Sequence, residues 1–423
     1  MLDLRALRED PARFRAGLGR RGLAEDVDAL LAADERRRAL TGRVEDLRAR
    51  QNRASKEIGR AQGEEKQRLI AEVASVSAEL KGLEPELTHA DRELADLLAR
   101  VPNVPDPSAP DGFTDEDAVE VRRRGEPRAF DFPPRDHADL ASALGVLDTE
   151  RGARTSGSRF VYLLGDAVHL QLALVRYVFE GLERHGFTPM IPPVLVREEA
   201  MFGTGFLPTD EVNLYVTRED DLYLVGTSEV PLAAYRMGEI LDEAELPLRY
   251  AGYSTCFRRE AGTYGKDLGG MFRVHQFDKV EMFVFAAPEQ SWELHDRMVE
   301  IQEEIVTGLE LPYRVVNVAA GDLGGSAAKK YDIEVWLPGQ GRYRELTSCS
   351  NCTDYQARRL HTRMRRASGE IEVLHTLNGT ATAIGRTLIA ILENHQQADG
   401  SVELPKTLRA HLPERLHSLS PRA

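Results

Sequence analysis

The sequence predicts an α+β protein, a central antiparallel sheet flanked by helices and preceded by an antiparallel coiled-coil arm. Three observations carry this. Two heptad-spaced apolar runs follow one another early in the 423-residue chain. A proline-dense stretch then breaks all regular pattern, and beyond it aromatic and β-branched strand-like runs alternate with amphipathic helical ones.

In the first run Leu40, Val44, Leu47, Ala54, Ile58 and Ala61 keep the alternating three-and-four spacing of a heptad, with Gln51 the one polar occupant. Leu69, Val73, Val76, Leu80, Leu83, Leu87, Ala90, Leu94 and Leu97 keep it without a break, and Gly63 lies between the runs. Residues 26–100 therefore read as a helical hairpin whose seam is the apolar stripe. Pro85 is expected to interrupt and kink the second helix. At 1.5 Å rise per residue, helices of about 35 residues make an arm of roughly 50 Å, with too narrow a seam for a globular core, so it should project.

Arg36, Arg37, Arg38, Arg43, Arg48, Arg50, Arg53, Lys56 and Arg60 crowd the first helix, and acids outnumber bases on the second. This reads either as a solvated coiled-coil face or as a basic face for a polyanion. The net charge of −14 argues against a nucleic-acid partner on average, but whole-chain charge averages over faces.

The stretch VPNVPDPSAPDGF (101–113) is too rich in proline for regular structure and marks a boundary. The expected division is an N-terminal domain at 1–103, a linker and lead-in at 104–135, and a second domain at 136–423. With 42% hydrophobic residues the chain can bury a sizeable core. No apolar run approaches the roughly 20 residues of a membrane helix, and the start MLDLRALRED is too charged for a signal peptide, so a cytoplasmic, membrane-free protein is expected. Three cysteines form no disulfide framework. Cys349 and Cys352 have C-x2-C spacing without a second pair, so buried thiols are expected and no zinc.

Beyond the boundary, 168–184 and 291–309 are apolar-striped helices. Between them 249–285, RYAGYSTCFRREAGTYGKDLGGMFRVHQFDKVEMFVF, packs two strand-like runs (250–257 and 274–285) around a loop broken by Gly262, Gly265, Gly269 and Gly270, the pattern of a long hairpin. Arg258, Arg259 and Glu260 sit where the first strand meets the loop. A guanidinium there can fork onto a phosphate, Glu260 can accept the exocyclic amine of a base, and Phe277 offers a stacking face. On residue types alone, the arginine and glutamate also fit a surface ion pair.

The stretch resembles motif 2 of the class II aminoacyl-tRNA synthetases, specifically of bacterial-type seryl-tRNA synthetases. Three more stretches agree in order. GFTPMIPPVLV (186–196), ending with Pro193, is similar to motif 1; GTSEV (226–230) resembles the serine-binding loop; NGTATAIGRTLIAILEN (378–394) resembles motif 3. The resemblance spans essentially the whole chain.

It implies the class II catalytic fold and a two-step ligase reaction using ATP, Mg²⁺, L-serine and tRNA(Ser), with tRNA(Sec) a further candidate, in a homodimer joined through motif 1. The arm would reach the long variable arm of the tRNA, through Arg36, Arg43, Arg50, Arg53 and Arg60. Residue by residue, it implies Arg258 on the α-phosphate and the serine carboxylate, and Arg386 on the γ-phosphate. Arg258, Arg259, Glu260, Phe277, Glu345, Leu346, Thr347, Ser348 and Arg386 would bind ATP, and Glu345 and Ser348 the metal. Thr227, Ser228, Glu229, Glu281, Asn378 and Thr380 would select serine, with Glu281 taking the ammonium. Where many class II enzymes carry an acidic residue before the motif 3 arginine, this chain has Gly385, which leaves the metal chiefly to Glu345. Three other readings stay open: a secondary-metabolism or resistance paralogue, a non-catalytic tRNA-binding relative, and a carrier-protein-loading homologue. The last lacks the arm, and the second would have lost Arg258, Glu260, Glu345 or Arg386.

Overall fold

The computed structural model describes residues 1–261 and 270–421. Gly262, Gly265 and Gly269 of the expected hairpin loop lie outside the described residues. The chain divides into two compact units, Met1–Val101 and Pro102–Ala423.

The first unit opens with helices α1 (Leu4–Glu9) and α2 (Pro11–Gly19), followed by the long pair α3 (Asp26–Ile58) and α4 (Gly63–Arg100). Gly63 opens α4 with a φ of +60°, a left-handed conformation that glycine adopts without steric cost at the hairpin turn. Val44, Leu47, Val76, Leu80 and Leu83 form the buried seam, with Leu40 and Leu87 packed against it. Each such burial contributes about 1.5–3 kcal/mol relative to exposure. Gln51, the polar occupant of the stripe, donates to Ser77 Oγ at 2.7 Å, so its desolvated amide is not left unpaired.

The expected interruption at Pro85 does not occur. Helix α4 runs through it as one element, because Pro85 lies on the exposed face, where water can satisfy the carbonyl that loses its donor. The expectation of a basic face on α3 also needs correction. Arg36, Arg43, Arg48 and Arg50 pair across the hairpin with Glu93, Glu79, Glu84 and Glu72. Among the described residues, Arg53 and Arg60 have no ion-pair partner. The acids of α4 flank the same seam, which is the usual place for interhelical pairs in coiled coils.

The second unit is built on an eight-stranded sheet. Its strands are β1 (Val119–Arg124), β2 (Thr188–Met190), β3 (Leu248–Phe257), β4 (Gln276–Ala286), β5 (Tyr313–Asn317), β6 (Lys329–Leu337), β7 (Arg342–Thr353) and β8 (His375–Ala383). They lie in the order β1-β5-β6-β7-β8-β4-β3-β2. All neighbours are antiparallel except β2 against β3, so the motif 1 strand closes one edge as a parallel partner. Helices α5 (Asp166–Arg184), α6 (Ser291–Gly308) and α7 (Ile384–Asn394) contribute to one core with the sheet, where Leu170, Leu174, Ile305, Leu388 and Ile391 meet Val280, Met282 and Val284. The α5 and α6 stripes are the ones read from 168–184 and 291–309. Helix α7 follows β8 without a loop, which places its first turn beside the β4–β8 pair. Among the described residues, no helix is long and apolar enough to cross a membrane.

Candidate active site

Alternation along the central strands decides which side chains share a face. On β4 it groups Phe277, Lys279 and Glu281; on β8, Asn378 and Thr380; on β7, Ser348 and Ser350. A bulge leaves Leu346 without a partner between Glu345, opposite Glu334, and Thr347, opposite Ile333. Arg258 and Glu260 enter from the end of β3, Gly385 and Arg386 from the first turn of α7, and Glu229 from the short helix Glu229–Ala234. Apart from Glu281, the side chains grouped on these strand faces and those entering from β3, α7 and the short helix line a cavity of about 590 Å³, within the range of nucleotide-sized sites.

The two arginines are held rather than loose. Arg258 Nε donates to the Gly226 carbonyl at 3.1 Å, and its guanidinium lies 5.4 Å from the centroid of Phe277. Arg386 Nη1 reaches the Glu345 carboxylate at 3.2 Å and the Glu345 carbonyl at 3.1 Å, and the group lies 5.0 Å from the Phe272 ring. Arg344 packs on the same ring at 4.0 Å. Burial raises the Glu345 carboxyl, but the charges of Arg386 and Lys330 and the Arg386 hydrogen bond outweigh it and hold the group well below the ordinary carboxylate range. Lys330 in turn pairs with Asp332 at 3.4 Å, and burial of Asp332 pushes its carboxyl up.

Glu260 sits at φ +51°, a left-handed backbone that costs a non-glycine residue roughly 1–2 kcal/mol. Two contacts hold it there: Arg273 Nη1 meets its carboxylate at 2.5 Å, and the next amide, Ala261 N, donates to Asn213 Oδ1 at 2.9 Å. Strain of this kind collects where a side chain must be aimed.

A second polar cluster lies deeper. Glu229 accepts from Gln356 Nε2 at 2.7 Å and Asn378 Nδ2 at 3.0 Å. Burial first, and then the neighbouring charge of Glu281, push its carboxyl up to about 7. Lys279 Nζ donates to Thr227 Oγ1 at 2.6 Å and meets Glu281 Oε2 at 2.6 Å, and Thr380 donates to the same oxygen at 3.2 Å.

Arg258, Glu260, Phe277, Glu229, Glu345, Leu346, Ser348, Asn378, Thr380 and Arg386 all border the cavity. Five others do not. Thr347 is buried on the opposite face of β7, as alternation from Ser348 requires. Arg259 is exposed, and its backbone amide donates to the Asn213 carbonyl. Ser228 turns away to donate to the Gly252 carbonyl. Thr227 and Glu281 stand behind the wall, holding Lys279 and Thr380. Sequence reasoning missed Lys279, Phe272, Arg273, Lys330 and Arg344. Of these only Lys279, two residues before Glu281 on a strand, left a signal, since period-2 alternation puts it on the same face.

Metal binding at Glu345 and Ser348 can be tested on the donor set. Among the described residues, no group of three or more His, Cys, Asp or Glu could enclose a metal. At the expected metal position the cavity wall offers the Glu345 carboxylate and the Ser348 hydroxyl, which suits a hard cation that brings phosphate and water ligands of its own. The three cysteines are free and buried, and burial raises all three thiols, Cys256 to about 11.

Residues 213–395 match the sequence model of the tRNA synthetase class II core domain (G, H, P, S and T), and residues 1–105 that of the seryl-tRNA synthetase N-terminal domain. The serine–tRNA ligase of Thermobifida fusca is 54% identical over 410 residues, covering 97% of each chain. That of Streptomyces coelicolor is 53% identical over 418 residues with the same coverage. Among solved structures, seryl-tRNA synthetase from Pyrococcus horikoshii complexed with ATP superposes with a TM-score of 0.95 at 42% identity, over 100% of both chains. The cytoplasmic serine–tRNA ligase from Naegleria fowleri in complex with AMP gives 0.89 at 34% identity, over 100% of this chain and 99% of that one.

Proposed function

The chain belongs to the seryl-tRNA synthetase family of class II aminoacyl-tRNA synthetases, and from this premise we propose that it is an ATP-dependent serine–tRNA ligase. It activates L-serine to seryl-adenylate and transfers the acyl group to the 3′ end of tRNA(Ser), with tRNA(Sec) as a further substrate to be assayed. The observation that carries this reading is one cavity bordered by Arg258, Arg386 and Glu345 and also by the polar set Glu229, Asn378 and Thr380.

In the first step a serine carboxylate oxygen attacks the α-phosphorus in line and pyrophosphate leaves; in the second the terminal ribose hydroxyl takes the acyl group. Neither step needs a side-chain nucleophile, so the protein's contribution is positioning and charge compensation. Arg258, fixed by Gly226 and Phe277, would hold the serine carboxylate against the α-phosphate. Arg386 would take the γ-phosphate, and Glu260 the exocyclic amine of a base stacked on the open face of Phe277. Glu345 and Ser348 would hold Mg²⁺, whose contribution when bound is to neutralise phosphate charge.

Glu229 would provide the carboxylate for the ammonium of serine, Glu281 would act from behind the wall by orienting Thr380, and Thr380 and Asn378 would face the hydroxyl. Alanine is then penalised because those groups stay unpaired, and larger side chains are excluded by size. The arm would dock the tRNA, and of its five candidate arginines Arg53 and Arg60 are the two without an internal ion-pair partner among the described residues. Exposed Val168, Leu172, Ile191 and Leu195, around the motif 1 strand at the sheet edge, support a homodimer contact there. The cytoplasm is the compartment such an enzyme works in.

The test is serine-dependent exchange of labelled pyrophosphate into ATP, followed by charging of purified tRNA(Ser). We expect both in the native protein and a loss of about 10²–10³-fold in exchange for Arg258→Ala. Exchange that ignores serine, or an Arg258→Ala enzyme of full activity, would refute the reading.

A further inference from the structure

We propose that Lys279 is a positioning residue of the serine pocket: its ammonium, clamped between Thr227 and Glu281, lets two carboxylates share one buried site and leaves Glu229 as the group that exchanges a proton for the substrate's ammonium. The inference rests on the functional reading above and deepens it.

Lys279 has a side chain only 8% exposed, yet it borders the cavity. Two of its three donors are used, on Thr227 Oγ1 and Glu281 Oε2, both at 2.6 Å. A buried lysine is retained at such a place only with a compensating anion. Glu281 is that anion, and Thr380 donates to the same oxygen. The Lys279–Glu281 pair is therefore nearly neutral as a unit and available to orient Thr380 and Thr227.

Glu229 is the odd carboxylate. It is buried, its oxygen accepts from two amides, and no cation is within salt-bridge distance among the described residues. The charged groups acting on it are Glu281, Lys279 and Arg258. The titratable thiols nearby, Cys256, Cys349 and Cys352, are held neutral by burial. Glu229 is thus protonated in the empty pocket toward the acid side of neutrality. When serine enters with its ammonium, Glu229 can ionise against it, and the displaced proton passes to solvent. Remove Lys279 and the balance fails. With Arg258 the one remaining cation named as acting on Glu229, two carboxylates in one buried site repel more strongly, so one must take up a proton and hold it more tightly.

The experiment measures serine-dependent pyrophosphate exchange by full-length native protein, Lys279→Met and Lys279→Arg, from below to above pH 7. For Lys279→Met we expect the KM for serine to rise about tenfold or more, equivalent to one pKa unit of lost pairing, with the KM for ATP little changed. The acid limb of the serine profile should move to higher pH, and Lys279→Arg should recover most of the affinity. A Lys279→Met enzyme with the native serine KM and pH profile, or one impaired only in kcat, overturns the proposal.

Should Lys279→Met fail to melt cooperatively, Lys279→Met/Glu281→Gln removes both charges and restores the fold. That variant should keep the raised serine KM, with the acid limb of Glu229 moved to lower pH because the charge of Glu281 is gone. A native serine KM in the double variant also overturns the proposal. Native protein that exchanges without serine defeats the functional reading itself, whereas native protein that exchanges normally alongside an unaffected Lys279→Met defeats only the role of Lys279.

Discussion

Glu229 shows how one buried carboxyl couples stability to recognition. Its pKa is raised, chiefly by burial, to about 7. Relative to an ordinary glutamate, its stabilising contribution is complete at acid pH and is lost as pH rises through about 7, where a charge must be carried in a desolvated site. Affinity for an ammonium runs the other way, since the acceptor is at full strength only above that pH. Serine KM should therefore rise as pH falls through about 7, and Glu229→Gln should flatten that limb while raising KM throughout. A native-like acid limb in Glu229→Gln would assign the titration to another group. At this scale the sequence was legible where the hairpin pattern singled out Arg258, Glu260 and Phe277 and where motif resemblance singled out Glu345 and Arg386: all five border one cavity. It was not legible where strand alternation and a bulge decide orientation. Thr347 faces away, Thr227 and Glu281 stand behind Lys279, and Lys279 itself went unread because a lysine beside a glutamate in a strand has the appearance of a surface pair.

Among the elements, the arm was the easiest to read and the easiest to misread. Heptad spacing locates both helices, because a seam of Val44, Leu47, Val76, Leu80 and Leu83 needs only local periodicity. The charges on its flanks depend on the partner helix, and there four of the α3 arginines are engaged with glutamates of α4. If the arm serves the tRNA alone, replacing 26–100 with a short linker should leave serine-dependent exchange within about twofold and abolish charging. Equal loss of both would contradict that division of labour. Arg53→Ala/Arg60→Ala should weaken tRNA binding and reduce its salt dependence by about one to two ions, since neither arginine has an internal partner to lose. Arg43→Ala should have the smaller effect on binding, because its guanidinium is shared with Glu79.

For the whole molecule, the sheet order brings β4, β7 and β8, far apart in sequence, side by side, and α7 follows β8 directly so that Arg386 meets Glu345. At the other edge, β2 and the exposed Leu172 and Ile191 leave an apolar surface that a second copy would cover. A mass measurement in solution should give twice the 47.2 kDa chain mass, and Leu172→Glu/Ile191→Asp should shift it toward the monomer; a native monomer would remove the motif 1 contact from the account.

Heptads and strand-like runs by themselves determined the arm and the α+β class, because both are written in local spacing along the chain, and the resemblance carried by four ordered motifs implied the chemistry of the reaction. Which side chains border the cavity, which arginines are already paired, and that a buried lysine pairs with one of two buried carboxylates were decided only in three dimensions. Those outcomes depend on burial and on neighbours brought together by strand pairing, and a carboxyl's protonation or an arginine's availability is a property of its surroundings rather than of its place in the sequence.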